Sequence, residues 1–290
     1  MTRFELHFYK HLNRYRRLIQ ILSVLFIFIV PLLNKAGMHA IIGTFYSVSI
    51  GQLDIVDPAL VLQNLLLTKE IHFPLLLAGI IPLVITLFFG KVFCSWICPF
   101  NLLAEFADKL RKKIRPKTIR AKNQNAKPQY YWLVFGSIIS VAAVSGIPVI
   151  TLTSMPGLIS GQVADLIFYG AVGMELSIVL LILLLEVFFW PRFWCKYACP
   201  VGAVLALLRG KNTLAIQYDA HICANNCPVN LKKVSLCNAA CPLQLNPRQK
   251  GIYPYCYNCG ACIEACFNKG GKSIWFTFHP QETKTNKSGS

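Results

Sequence analysis

Acidic side chains are scarce in this sequence: 12 Asp and Glu stand against 29 Lys and Arg among 290 residues, and all charged residues together make up only 14%. So little charge, with 55% apolar residues and a mean hydropathy of +0.50, argues against a soluble protein and for a chain that lives in a membrane. Motifs of independent catalysis are missing as well. There is no Gly-rich phosphate loop, no Ser/His/Asp set, and no kinase, output or DNA-reading segment, so a nucleotide-driven enzyme, a hydrolase and a stand-alone sensor are set aside. No small-residue cleavage site follows the first apolar run, which is therefore expected to stay in the mature chain.

Four apolar runs approach the roughly 20 residues that a helix needs to cross about 30 Å of hydrocarbon. They extend from Leu18 to Leu33, Phe73 to Gly90, Tyr130 to Leu152 and Leu166 to Trp190. The first is short, with Pro31 near its end, and Arg16 and Arg17 stand where they can snorkel to the interface. Of the Lys and Arg, five precede the first run, two fall in 34–70, ten in 91–128, none in 151–165 and twelve after Trp190. The positive-inside rule then predicts a multi-pass protein of the bacterial inner membrane with both termini and the 91–128 loop in the cytoplasm. The net charge of +17 becomes a mark of topology, and no nucleic-acid partner is expected. The stripe Lys109, Arg111, Lys112, Lys113, Arg115 directly follows a run.

The 12 Cys fall in close groups, a pattern that metal clusters require and disulfide frameworks do not. The second run leads into Phe93-Cys94-Ser-Trp-Ile-Cys98-Pro99 and the fourth into Trp194-Cys195-Lys-Tyr-Ala-Cys199-Pro200, the same motif at an offset of 101 residues. The predicted fold is thus an all-α membrane protein whose four transmembrane helices form two hairpins in parallel repeat. A small ferredoxin-like region follows them. The expected division is a basic N-terminus (1–17), a membrane domain (18–210), an iron–sulfur region (211–279) and a disordered tail (280–290). Cys94, Cys98, Cys195 and Cys199 are expected to act together, as a metal site, a cluster site or a redox thiol pair. Residues four apart share a helix face, and the following Pro ends that helix or opens another.

From Cys256 the chain reads Cys256-Tyr-Asn-Cys259-Gly-Ala-Cys262-Ile-Glu-Ala-Cys266, the spacing that binds a [4Fe–4S] cluster in bacterial ferredoxins, with the fourth Cys reaching to another cluster. Zinc sites more often use two pairs separated by a longer loop. Upstream stand Cys223-x3-Cys227-Pro228 and Cys237-x3-Cys241-Pro242, so eight thiolates are available for two clusters. By order along the chain, Cys241 joins Cys256, Cys259 and Cys262, while Cys223, Cys227 and Cys237 share the other cluster with Cys266. The x3 and x9 gaps depart from the ferredoxin pattern. Lys232, Lys233, Arg248 and Lys250 lie nearby, as a solvated surface or as groups that tune the clusters or dock an acidic partner.

Together these motifs resemble the NapH family of membrane-bound ferredoxin-type proteins, close to MauN and NosH, over nearly the whole chain. The resemblance implies a subunit of a quinol dehydrogenase rather than a stand-alone enzyme. It would draw on the quinone pool and pair with a periplasmic iron–sulfur protein of the NapG type in anaerobic respiration. The alternative it implies is a maturation or metal-handling protein of the MauN or CcoG kind, with the paired thiols reducing or passing on copper. Quinol chemistry needs proton acceptors near an apolar slot. Glu175 and Glu186, eleven residues apart and thus on one face of the fourth run, are candidates for a proton or quinone site, or are purely structural acids. Asp54, Asp57, Glu70, His39 and His72 lie near the expected outer level, where Asp57-Pro58 should start a short helix over Ala59 to Leu67.

Overall fold

The computed structural model describes residues 3–39, 41–114, 127–210, 212–226, 236–249 and 252–278. Arg115, Cys227, Lys232, Lys233, Lys250 and the tail from residue 279 lie outside them.

A short helix α1 (Arg3–Lys10) leads into α2 (Leu12–Lys35), followed by strands β1 (Ile41–Gly43), β2 (Ser47–Ile50) and β3 (Leu53–Val56). The strands form an antiparallel meander in register Ile41↔Ile50 and Ser47↔Val56. Helices α3 (Pro58–Thr68) and α4 (Phe73–Phe89) come next, then α5 (Val92–Trp96) and α6 (Pro99–Ile114). As expected, α3 starts at Asp57, whose carboxylate accepts the Ala59 amide at 2.9 Å, with Pro58 at its first position.

The second half runs through α7 (Pro128–Ser145), α8 (Val149–Thr153), α9 (Met155–Tyr169), α10 (Met174–Phe188), a π-helical turn (Trp194–Ala198) and α11 (Pro200–Leu207). Strands β4 (Ala215–Tyr218) and β5 (Ile274–Thr277) pair antiparallel and bracket the cysteine-rich region. Between them lie the short helices α12 (Ala220–Asn226), α13 (Leu236–Ala240) and α14 (Ala261–Phe267).

This overturns the expected all-α bundle of four transmembrane helices. Among the described residues, only α2, at 24 residues, is long and apolar enough to cross a membrane, and five strands are present. The physical cause lies in the breaks. The third run stops at Gly146, a left-handed C-cap at φ +67°, before Pro148; the fourth stops at Gly170, at φ +66°, which leaves α10 only 15 residues. At 1.5 Å per residue, 15 residues reach only about 22 Å. Arg16, Lys91 and Arg192 are 4%, 5% and 1% exposed, so they belong to the interior.

Candidate functional site

The two Cys-x3-Cys-Pro segments adopt one local geometry. In each, the first cysteine rides on a single short turn, Cys94 in α5 and Cys195 in the π-helical turn. The second donates its amide five residues back, Cys98 to the Phe93 carbonyl at 3.0 Å and Cys199 to the Trp194 carbonyl at 2.9 Å. It then precedes a proline that opens the next helix, α6 or α11. Of the two roles open to that proline, the structure selects the opening of a helix. The backbone amides of Phe100 and Asn101 face the sulfur of Cys98 and favour its thiolate, as those of Val201 and Gly202 do for Cys199.

Three residues before each first cysteine stands a buried cation, Lys91 before Cys94 and Arg192 before Cys195, which are equivalent in the repeat. Sequence reasoning missed this pair, although the 101-residue offset marks it. Lys91 donates to the Tyr131 hydroxyl at 3.0 Å and the Pro254 carbonyl at 3.1 Å. Arg192 pairs with Asp108 at 2.6 Å and donates to Asn101 Oδ1 at 2.6 Å, tying the second motif to the helix that follows the first. Burial alone would depress the Lys91 ammonium, but Tyr131, Cys94 and Cys199 hold it above its ordinary value.

Burial pushes all four thiols up, Cys98 to about 12, and Cys195 well above its usual value with Glu186 adding to the rise. Coordination to a metal centre would deprotonate them.

The ferredoxin-like loop packs directly on both motifs. Ser95 Oγ donates to the Tyr257 carbonyl at 2.6 Å and Trp96 Nε1 to the Asn258 carbonyl at 3.4 Å. The Tyr255 ring meets Tyr197 at 5.4 Å and Tyr131 at 5.3 Å. Asn258, in the left-handed region at φ +53°, donates to the carbonyls of Phe89 and Leu214 and accepts from the Tyr253 hydroxyl at 2.7 Å. Gly260, at φ +73°, caps α14, and a Cβ there would collide with Leu12 of α2. The Glu264 carboxylate accepts the Asn13 amide, so the start of α2 is pinned to α14.

Cys256 and Cys259 share one core with Cys94, Cys195 and Cys241. Cys262 is under the electrostatic influence of Cys259, Cys241 and Cys256, and also of Cys237, which the order along the chain assigns to the other cluster. Burial lifts Cys241 to about 12 and Cys256 to about 11. Of the second expected set, Cys223 is disulfide-bonded. Cys237 packs with Cys262, Ile263 and Phe267, and Cys266 lies 3.5 Å from Ser273 Oγ.

These residues fit an iron–sulfur cluster better than one metal ion. Among the described residues, no three His, Cys, Asp or Glu side chains close on a point that could hold a single ion. Tetrahedral zinc, with Zn–S of about 2.3 Å, would draw its ligands tightly together, whereas a cubane places an iron behind each thiolate. Beside the cysteines, Trp194 Nε1 and the Tyr257 hydroxyl are buried without a hydrogen-bond partner, polar groups that an anionic guest would satisfy.

The two candidate acids differ in place. Glu186 is buried and accepts the Trp194 amide at 3.1 Å, bracing the second motif, while Glu175 sits partly exposed in the first turn of α10. Asp54, Glu70, His39 and His72 are exposed. Asp57 lies beside Tyr46, Thr151 and Ser154, whose buried hydroxyl has no partner.

Comparison with known proteins agrees with this geometry. The Fer4_5 family, a 4Fe-4S binding domain, matches residues 71–118 and again 172–214, so each match holds one Cys-x3-Cys-Pro motif and the starts differ by the same 101 residues. The chain is 29% identical to the methylamine utilization ferredoxin-type protein MauN of Paracoccus denitrificans over 71% of its length and 68% of the relative. It is 28% identical to MauN of Methylorubrum extorquens over 87% and 73% of the two chains. With the ferredoxin-type protein NapH of Haemophilus influenzae it shares 26% identity over 73% and 72%. No solved structure matches. The motifs and these relatives together make the chain similar to ferredoxin-type proteins of the NapH and MauN kind, with two matches to a 4Fe-4S binding domain.

Proposed function

We propose that this chain is a membrane-associated electron-transfer subunit, carrying electrons from membrane quinol to a periplasmic iron–sulfur partner of the NapG kind. The observation that carries the reading is the seating of the Cys256–Cys262 loop on both Cys-x3-Cys-Pro motifs. A site that receives electrons at the motifs would then need no long gap to reach the loop. In this reading Cys241, Cys256, Cys259 and Cys262 hold one [4Fe–4S] cluster, and the repeat-related quartet Cys94, Cys98, Cys195 and Cys199 forms a second centre. When bound, such clusters supply one-electron transfer. The protein's own part is electrostatic: Lys91 and Arg192 offset negative charge at the quartet, and Asn258 and Ser95 hold the loop in place. Cys223, Cys227, Cys237 and Cys266 are the remaining candidates for a further cluster in a reduced form of the protein.

Membrane attachment is proposed through α2, whose Leu18, Leu22, Leu25 and Ile29 are exposed, as are apolar side chains of α4 and α10. Copper handling by the paired thiols is the second reading, since soft thiolates suit Cu(I). Anaerobic purification with iron and sulfide analysis, followed by EPR before and after quinol addition, tests the proposal. Clusters that quinol reduces support it; copper at the paired thiols with no response to quinol overturns it.

A further inference from the structure

We propose that Arg16 sets the reduction potential of the cluster held by Cys241, Cys256, Cys259 and Cys262. The inference rests on the ligand assignment proposed above. Leu12, Arg16 and Gln20 are spaced four apart and share one face of α2. Leu12 occupies the space beside Gly260, and Gln20 Nε2 donates to the Ser95 carbonyl at 2.9 Å, so this face runs along the cysteine loop and the first motif. Arg16 lies between these two contacts, within electrostatic reach of Cys259 and Tyr257.

The guanidinium is buried and half-satisfied. Nη2 pairs with Glu105 Oε1 at 2.7 Å, while Nε and Nη1 have no partner. Leaving a charged donor buried and unpaired is costly, so an acceptor beside it is called for. A cubane with four thiolates is that acceptor: it carries net negative charge, which grows by one on reduction. N–H donors and a cation beside it stabilise the reduced form more than the oxidised one, which raises the potential. One electron enters from an external reductant; no bond is made or broken and no proton moves. Because guanidinium keeps its charge throughout the accessible range, the effect is independent of pH.

The test is an EPR-monitored redox titration of the full chain in detergent, with dithionite as reductant and iron and sulfide measured in parallel. Arg16→Gln is expected to keep its iron and lower the midpoint by at least a tenfold change in the one-electron equilibrium constant, about 59 mV, equally at pH 6 and pH 9. Glu105→Gln, which leaves the cation uncompensated, is expected to raise it. A full iron content with an unmoved midpoint in Arg16→Gln overturns the proposal. Should that variant lose its iron, an unmoved midpoint in Glu105→Gln overturns it instead. Retention of every cluster signal in Cys259→Ala, which offers iron no donor atom, refutes the ligand assignment itself, which separates that failure from a failure of Arg16.

Discussion

Single residues show where burial changes chemistry. Asp57 caps α3 from an interior position, and burial raises its carboxyl to about 6 against the opposing pull of the Ala59 amide. The native state therefore binds more protons than the unfolded chain between about pH 4 and 6, and stability falls as pH rises through that window. Asp57→Asn keeps the cap and removes the titration. Thermal unfolding of the two proteins in detergent should show their difference in midpoint growing in favour of the variant from pH 4 to 6; a constant difference would exclude a buried carboxyl. Gly260 illustrates steric need. Gly260→Ala meets Leu12 and a left-handed backbone together, so a loss of about 1–3 kcal/mol is expected, with lower iron content in the purified protein. Glu186, offered by the sequence as a proton carrier, accepts a backbone amide. Glu186→Leu should therefore destabilise the second motif by about 1–3 kcal/mol, whereas Glu186→Gln, which keeps an acceptor oxygen, should unfold near the wild-type temperature.

At the level of elements, the repeated motif was legible because its chemistry is local. Cysteine, aromatic, cysteine and proline at one spacing build a short turn and then a new helix in both copies. The strand pair β4–β5 was not legible, since its partners are separated by the whole cysteine-rich region and only packing brings them together. Ile274 of β5 is fully buried against Cys237, Cys262 and Phe267. Ile274→Ala should cost about 2–5 kcal/mol and reduce the iron bound per chain, measured by unfolding and by iron analysis. The expected long helices failed for a reason also written in the chain. Gly146 with Pro148, and Gly170 with Gly173, outweigh the apolar residues around them, because a left-handed glycine ends a helix whatever its hydropathy.

Over the whole molecule, the first described helix meets the cysteine-rich region. Tyr9 of α1 stacks near Phe267 of α14 at 5.0 Å, and Leu6 and Tyr9 join the core around Cys262. The apolar α2 therefore continues directly from a contact with the cysteine region, which ties membrane attachment to the proposed electron path. Leu22 and Leu25 are exposed on this helix, and lysine near the centre of a span costs about 2.5–3.5 kcal/mol per residue. The double variant Leu22→Lys, Leu25→Lys should shift the protein from the membrane pellet to the supernatant after an alkaline carbonate wash; equal retention would show that α2 is not the anchor.

By itself the sequence determined the chemistry of the donor groups: cysteine spacing, the repeat and the ferredoxin run are properties of a few neighbouring residues, readable without a fold. Tertiary structure decided what surrounds them. It turned Arg16, Lys91 and Arg192 from marks of a membrane face into buried cations among thiols, because the cost of burying a charge is met only by partners distant in sequence, Glu105, Tyr131 and Asp108.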